Sequence, residues 1–245
     1  MTYTKYSASG NDFVIFHTFI KKDYSELAKS LCSRTQGIGA DGLIVLLPHD
    51  GLDFQWLFYN SDGSEASMCG NGTRACAHYA FSNNLASDSM SFLTSAGTIS
   101  CEVKKDVVET QLTKAVIIKE EFEEEGKTWY LIDTGVPHLV CLVNDLNEYD
   151  HDLCAKMRYK YNANVNFACI DSKKINVRTY ERGVEGETLA CGTGMAACFL
   201  RAYKLGLVDE KTFVYPKSKE ELTLRLENNE VYFKGSVQQV FTTTI

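Results

Sequence analysis

Residues 65–76 read EASMCGNGTRAC and residues 187–198 read ETLACGTGMAAC. Both conform to Glu-x-x-x-Cys-Gly-x-Gly-x-x-Ala-Cys, and Cys191 follows Cys69 by 122 residues in a chain of 245. Self-similarity at half the chain length marks two copies of one half-domain. The flanks agree: SGNDFV at 9–14 is echoed by TGVPHLV at 134–140, and FYNSDGSE before Cys69 by TYERGVEGE before Cys191. In each copy the cysteine precedes a run of small residues with helical character, so each half is expected to present a Cys-Gly-x-Gly turn at the start of a helix.

Outside the motifs, strand-like runs dominate. They include FVIFHTF (13–19), LIVLLP (43–48), DFQWLFYN (53–60), HLVCLV (138–143), NFACI (166–170), INVRTY (175–180) and EVYFKGSV (230–237). Two further helices are predicted, at 24–32, where Leu27, Leu31 and Cys32 share a face, and at 151–159. Many strands joined by short turns, without strict strand–helix alternation, make an α+β chain. The acidic run KEEFEEEGK (119–127) reads as a solvated turn or inter-strand loop.

Composition narrows the partners. With 25 basic against 32 acidic residues the net charge is −7, and no Lys/Arg block offers a surface for nucleic acid. The longest apolar runs fall far short of a membrane span, and the start MTYTKYSASGNDF does not resemble a signal peptide, so a soluble, cytoplasmic protein is expected. The nine cysteines lack paired C-x-x-C spacing, which argues against a structural zinc site or a disulfide framework. Most lie in apolar contexts and read as small buried hydrophobes. That applies to Cys76 and Cys198, one heptad along from the motif cysteines.

Cys69 and Cys191 are different. A thiol at a helix N-terminus feels the positive end of the helix dipole and the unpaired first-turn amides, which favour the thiolate. The Gly-x-Gly that follows permits close approach of an anion, leaving the backbone N–H groups of Gly70, Asn71, Gly192 and Thr193 as a carboxylate cradle. Two such turns facing one another would place one sulfur on each side of an amino acid α-carbon. One thiolate would remove the α-proton while the opposite thiol delivers another, inverting the centre without a cofactor.

NSDGSEASMCGNGTRACA, with SGNDF, GIGADG (37–42), GVPH (135–138), YERGVEGET (180–188) and ACGTG (190–194), resembles the diaminopimelate epimerase family in order along essentially the whole chain. The resemblance implies two pseudo-symmetric halves, each a curved, mostly antiparallel sheet around a central helix, with the active site in the interdomain cleft. Residues 1–112 plus 236–245 would form the half carrying Cys69, and 113–235 the half carrying Cys191. It also implies interconversion of LL- and meso-diaminopimelate on the way to lysine and peptidoglycan, with no cofactor or metal, a small-molecule amino-acid substrate, and a homodimer. Carried over by position, Cys69 and Cys191 are the acid/base pair. Asn11, Asn60, Gly70, Asn71, Asn166, Glu181, Arg182, Gly192 and Thr193 bind substrate, and His138 and Glu181 tune the thiols.

Two positions depart from the pattern of some members, which carry Gln at Gly42 and Asn at Val136; neither residue here can offer a side-chain hydrogen bond to substrate. The rival reading is another cofactor-independent racemase of the same fold, acting on histidine or proline. Proline-type racemases carry His where Asn71 stands, and Asn60, Asn166 and Arg182 favour a substrate with a second amino-acid head group.

Overall fold

The run LIVLL at 43–47 has no polar residue to turn toward water, so a strand built from it needs cover on both faces. The computed structural model, which describes residues 1–245, provides that cover. The chain divides into two units, Met1–Gln111 with Gly235–Ile245, and Leu112–Lys234.

The first unit runs β1 (Thr2–Ala8), β2 (Asn11–His17), α1 (Ser25–Cys32), β3 (Gly42–Leu47), β4 (Phe54–Asn60), α2 (Gly70–Ser82), β5 (Ser89–Thr94), β6 (Gly97–Lys104) and β7 (Val107–Gln111). β1–β2, β3–β4, β5–β6 and β6–β7 pair antiparallel. The two parallel pairs, β2–β3 and β4–β5, are connected through α1 and α2. Alternation along β3 sends Ile44 and Leu46 into a core with Phe13, Ile15, Trp56, Phe58 and the α2 residues Ala75, Cys76 and Ala80. Leu43 and Val45 point the other way, into a second layer with Val14, Phe16, Tyr24, Ala28 and Leu31 beneath α1. Leu43, Ile44 and Val45 are wholly buried, each contributing about 1.5–3 kcal/mol. Helix α2 touches β1 and β2 as well as β6 and β7, from both ends of this ladder, so the sheet curves around it. The small residues of the motif let the strands come close.

The second unit repeats the plan with β8 (Val116–Glu124), β9 (Lys127–Asp133), β10 (Pro137–Val143), α3 (His151–Tyr161), β11 (Asn164–Asp171), β12 (Lys174–Glu181), β13 (Gly186–Thr188), α4 (Gly192–Lys204), β14 (Lys211–Tyr215), β15 (Leu222–Glu227) and β16 (Glu230–Ser236). β9–β10, β11–β12, β14–β15 and β15–β16 are antiparallel. The parallel pairs β10–β11 and β12–β14 are connected through α3 and α4. The chain then returns to the first unit as β17 (Gln238–Thr244), which pairs with β1 as β8 pairs with β9. Even the register repeats: Phe13 lies opposite Gly42 and Ile44 opposite Phe58, while His138 lies opposite Asn164 and Asn166 opposite Thr179. Helix α3 is capped at both ends, by the Asp150 side chain on the N–H groups of Asp152 and Leu153 and by Asn162 in the left-handed conformation at φ 50°.

The acidic run departs from expectation. Val116–Glu124 is strand, and only Glu125 and Gly126 turn. Its carboxylates find donors on neighbouring elements: Glu120 meets Lys204, Glu121 meets Arg201, and Glu124 meets Lys160 and accepts from the Tyr161 hydroxyl. No helix is long and apolar enough to cross a membrane.

Candidate active site

Cys69 and Cys191 sit at the N-cap positions of α2 and α4, both with extended backbone angles. The first bonds of each helix are Thr73 N to Cys69 O at 2.8 Å and Met195 N to Cys191 O at 2.9 Å. The amides of Gly70, Asn71, Gly192 and Thr193 therefore precede the intrahelical ladder, where the dipole favours an anion.

Around Cys69 the chemistry is that of amides held by charges. The half-buried sulfur accepts the Gly72 N–H at 3.3 Å. Asn71 Nδ2 donates to Asn11 Oδ1 at 2.8 Å, and its Oδ1 accepts from Arg74 Nη2 at 2.8 Å. Arg74, wholly buried, also donates to Ser9 Oγ and to the Ser236 carbonyl. Asn11 Nδ2 donates to Asp41 Oδ2 at 3.0 Å. Arg34 in turn grips Asp12 with two bonds of 3.0 Å and Asp41 with one of 2.7 Å. Burial works against the Asp12 carboxylate, but bonds from Arg34 and Lys5 outweigh it and hold its pKa below the usual range. Guanidinium can only donate and carboxylate only accept, so both asparagine amides have one orientation. Asn60, exposed and opposite Gly42 in the β3–β4 ladder, donates to Ser64 Oγ at 3.0 Å. Gly42 has no room for a side chain: a Cβ there would lie 2.5 Å from Phe58 Cε2 and 2.8 Å from the Tyr59 carbonyl.

Beside Cys191 stand a hydroxyl and an imidazole. This sulfur, 8% exposed, lies 3.6 Å from Thr193 Oγ1, which is 2.9 Å from His138 Nε2. The Thr134 hydroxyl donates to the Thr193 carbonyl. On the other side of the imidazole, Nδ1 is 3.1 Å from Asn166 Nδ2, which also donates to the Leu139 carbonyl at 2.9 Å. Thr179 Oγ1 donates to Asn166 Oδ1 at 2.9 Å. Burial, and then the charge of Arg182, push the His138 pKa down to about 3, so the ring is neutral at neutral pH. Glu181 ends β12, half-buried, its carbonyl taking the Glu185 N–H. Arg182 follows, its N–H held by Asn164 Oδ1 at 2.8 Å and its Nη1 donating to the Asn162 carbonyl at 3.0 Å.

Asn11, Gly70 and Asn71 thus gather beside Cys69, and His138, Gly192 and Thr193 beside Cys191. Asn166, expected to touch substrate, is wholly buried with its carbonyl and both N–H groups engaged inside the protein. Sequence reasoning passed over Asp41, Arg34 and Arg74, and over Asn164 and Thr179. Asp41 sits in GIGADG beside the glycine already singled out, a signal that was there to use; Thr179 carried none. Cys76 and Cys198 are wholly buried, with burial pushing both thiols well up, as packing residues should be. No three side chains among His, Cys, Asp and Glu converge as metal ligands.

A cysteine-capped helix in each of two duplicated units fits the epimerase and racemase class. The fold is shared with a hydroxyproline epimerase from Agrobacterium vitis, at a TM-score of 0.78 and 13% identity over 99% of this chain and 91% of that one. Within the class, the family model for diaminopimelate epimerase matches residues 3–118 and 130–240. The chain is 64% identical over 244 residues to a diaminopimelate epimerase of Nitratiruptor sp., covering 99% of this chain and 98% of the relative. Against a diaminopimelate epimerase of Campylobacter jejuni it is 55% identical over 98% of this chain and 97% of the relative. The chain belongs to the diaminopimelate epimerase family.

Proposed function

We propose that the protein interconverts LL- and meso-2,6-diaminopimelate with Cys69 and Cys191 as the two bases, in the supply of lysine and peptidoglycan precursors. The observation that carries this is the placement of both sulfurs at N-caps, each beside amides ahead of its helix's hydrogen-bond ladder. The thiolate on one side takes the α-proton, and the thiol on the other returns a proton to the opposite face. The amides of Gly70 with Asn71 and of Gly192 with Thr193 hold the reacting carboxylate and stabilise the charge that develops on it. Of the two Asn11 N–H bonds one is spent on Asp41, and the second is directed to substrate. Asn60, Glu181 and Arg182 receive the remaining ammonium and carboxylate, the guanidinium being suited to bidentate capture. Because the Asn166 amide is fully engaged, we assign it to support and look to Asn164, beside Arg182, for the further amide contact. His138 tunes its thiol as a neutral group, and Glu181 completes the tuning. Nine free thiols suit a reducing compartment, which supports the cytoplasm as the place of reaction. The test is direct: purified protein incubated with LL-diaminopimelate should yield the meso isomer, while L-proline and L-histidine should remain unchanged. Racemised proline or histidine with untouched diaminopimelate would overturn the assignment.

A further inference from the structure

In the first unit the position beneath the second motif glycine is hydrocarbon: a Cβ on Gly72 would meet Ile44 Cδ1 at 3.4 Å and Phe13 Cε1 at 3.5 Å, with the Phe58 ring 6.0 Å from that of Phe13. The β-ladder registers put His138, Asn166 and Thr179 at the same three places in the second unit. All three are at most 3% exposed. The fold is satisfied by an apolar trio here, and burying a polar one has a desolvation cost. Something other than packing maintains it.

The hydrogen-bond directions show what. The Leu139 carbonyl can only accept, so the atom facing it is the Asn166 nitrogen. The second N–H of that nitrogen meets His138 Nδ1 at 3.1 Å, which makes Nδ1 the acceptor and puts the ring proton on Nε2. Asn164 Nδ2 also faces Nε2, but at 3.5 Å, beyond good hydrogen-bond length, so the shorter contact decides. Nε2–H then donates to Thr193 Oγ1, and the threonine's own hydrogen is left for Cys191 Sγ at 3.6 Å. The other tautomer would reverse the relay: Nε2 would accept the threonine hydrogen, and the hydroxyl oxygen would accept from the thiol. Thr179 closes the chain by occupying Asn166 Oδ1, which lies only 2.3 Å from where a Cβ on Gly194 would stand.

We infer that Thr179 is a positioning residue: acting with the Leu139 carbonyl at the other end of the amide, it holds Asn166 in the orientation that sets the Nε2–H tautomer of His138, which aims the Thr193 hydroxyl hydrogen at the Cys191 sulfur. A hydroxyl donor favours thiolate over thiol at that position. Cys198, coupled to this sulfur by charge, is held as a thiol by burial, and Arg182 bears on the imidazole by its charge. The inference rests on reading Cys191 as an acid/base thiol, but it can be tested on the free protein without substrate.

Two measurements decide it, on full-length wild type, Thr179→Val and Thr179→Ser. In wild type, long-range proton–nitrogen spectra of ¹⁵N-histidine protein should show His138 neutral and protonated on Nε2; protonation on Nδ1 would overturn the proposal without any variant. The pH profile of Cys191 alkylation by iodoacetamide, followed on the Cys191 peptide by mass spectrometry, should move upward in Thr179→Val. A shift of about one pH unit, or about tenfold in rate below the thiol pKa, is the size of one lost hydrogen bond to the charged form. Thr179→Ser, which keeps the hydroxyl, should restore the wild-type profile. A folded Thr179→Val with the wild-type profile, or a Thr179→Ser as displaced as the valine variant, would overturn it. If the wild type fails to epimerise diaminopimelate, the functional reading falls while these results still judge the relay.

Discussion

The two units place Phe13, Ile44 and Phe58 in one, and His138, Asn166 and Thr179 in the other, at the same three register positions beneath the same motif. One trio is oil and the other a directed hydrogen-bond chain. Duplication therefore supplied two copies of a scaffold, a helix whose N-cap is a thiol, and left the surroundings of each thiol to diverge. Cys69 is half-buried, receives a backbone N–H, and stands beside amides braced by Asp41, Arg34 and Arg74. Cys191 is almost covered and is reached through neutral hydroxyl and imidazole groups. A two-base inversion needs one thiolate and one thiol at a time, and unlike environments are a way to keep two chemically identical groups apart in protonation.

The comparison can be broken at several places. The largest effect is expected from the sulfurs: Cys69→Ser and Cys191→Ser should each lower kcat by about 10²–10⁴-fold, measured by meso formation, with unfolding midpoints unchanged. If one of the two variants retains full activity, the units are not partners in the chemistry. Acid should distinguish the units next. Since the folded His138 pKa is depressed to about 3, the unfolded chain takes up a proton below its ordinary pKa that the folded chain refuses. This contribution is fully present above about pH 6.5 and is lost as pH falls from there toward 3. Between pH 7 and 5 it amounts to about 2 kcal/mol. Urea unfolding of wild type and of His138→Gln at both values should show the smaller fall in the variant.

The glycines give a sharper contrast at lower cost. Gly194→Ala drives a Cβ to 2.3 Å from Asn166 Oδ1, whereas Gly72→Ala meets its nearest neighbour, Cys69 Cβ, at 3.3 Å. We expect a loss of about 1–3 kcal/mol for the former and under about 1 kcal/mol for the latter, read from denaturant midpoints. The smallest effect belongs to Arg34→Ala. This cation is well exposed, so removing its grip on Asp12 and Asp41 should cost under about 1 kcal/mol and fade with added salt.

Much of this was legible in the chain because it is local. The helix after each motif, the burial of Cys76 and Cys198, and the buried run at 43–47 follow from neighbouring residues alone. The β8 strand was not, because its run is as solvated as its charge implies and shows no apolar alternation, and only the pairing with β9 makes it a strand. Asn166 is assigned to substrate by its place in NVNF, through the family resemblance alone. Only the register of β11 against β12 reveals that Thr179 and His138 have already claimed its amide. Contacts between strands carry the polar relay, and they form only once β10, β11 and β12 pair.

The central claim is that two unlike thiols work as one proton donor and one proton acceptor. The measurement that bears on it most directly is the reaction of LL-diaminopimelate in deuterium oxide, stopped early, with both isomers analysed for α-deuterium. The account predicts that each meso molecule carries one deuterium from solvent while the remaining LL isomer is still undeuterated. Meso product that retains the substrate's own α-hydrogen, or LL substrate that gains deuterium as fast as product forms, would contradict it.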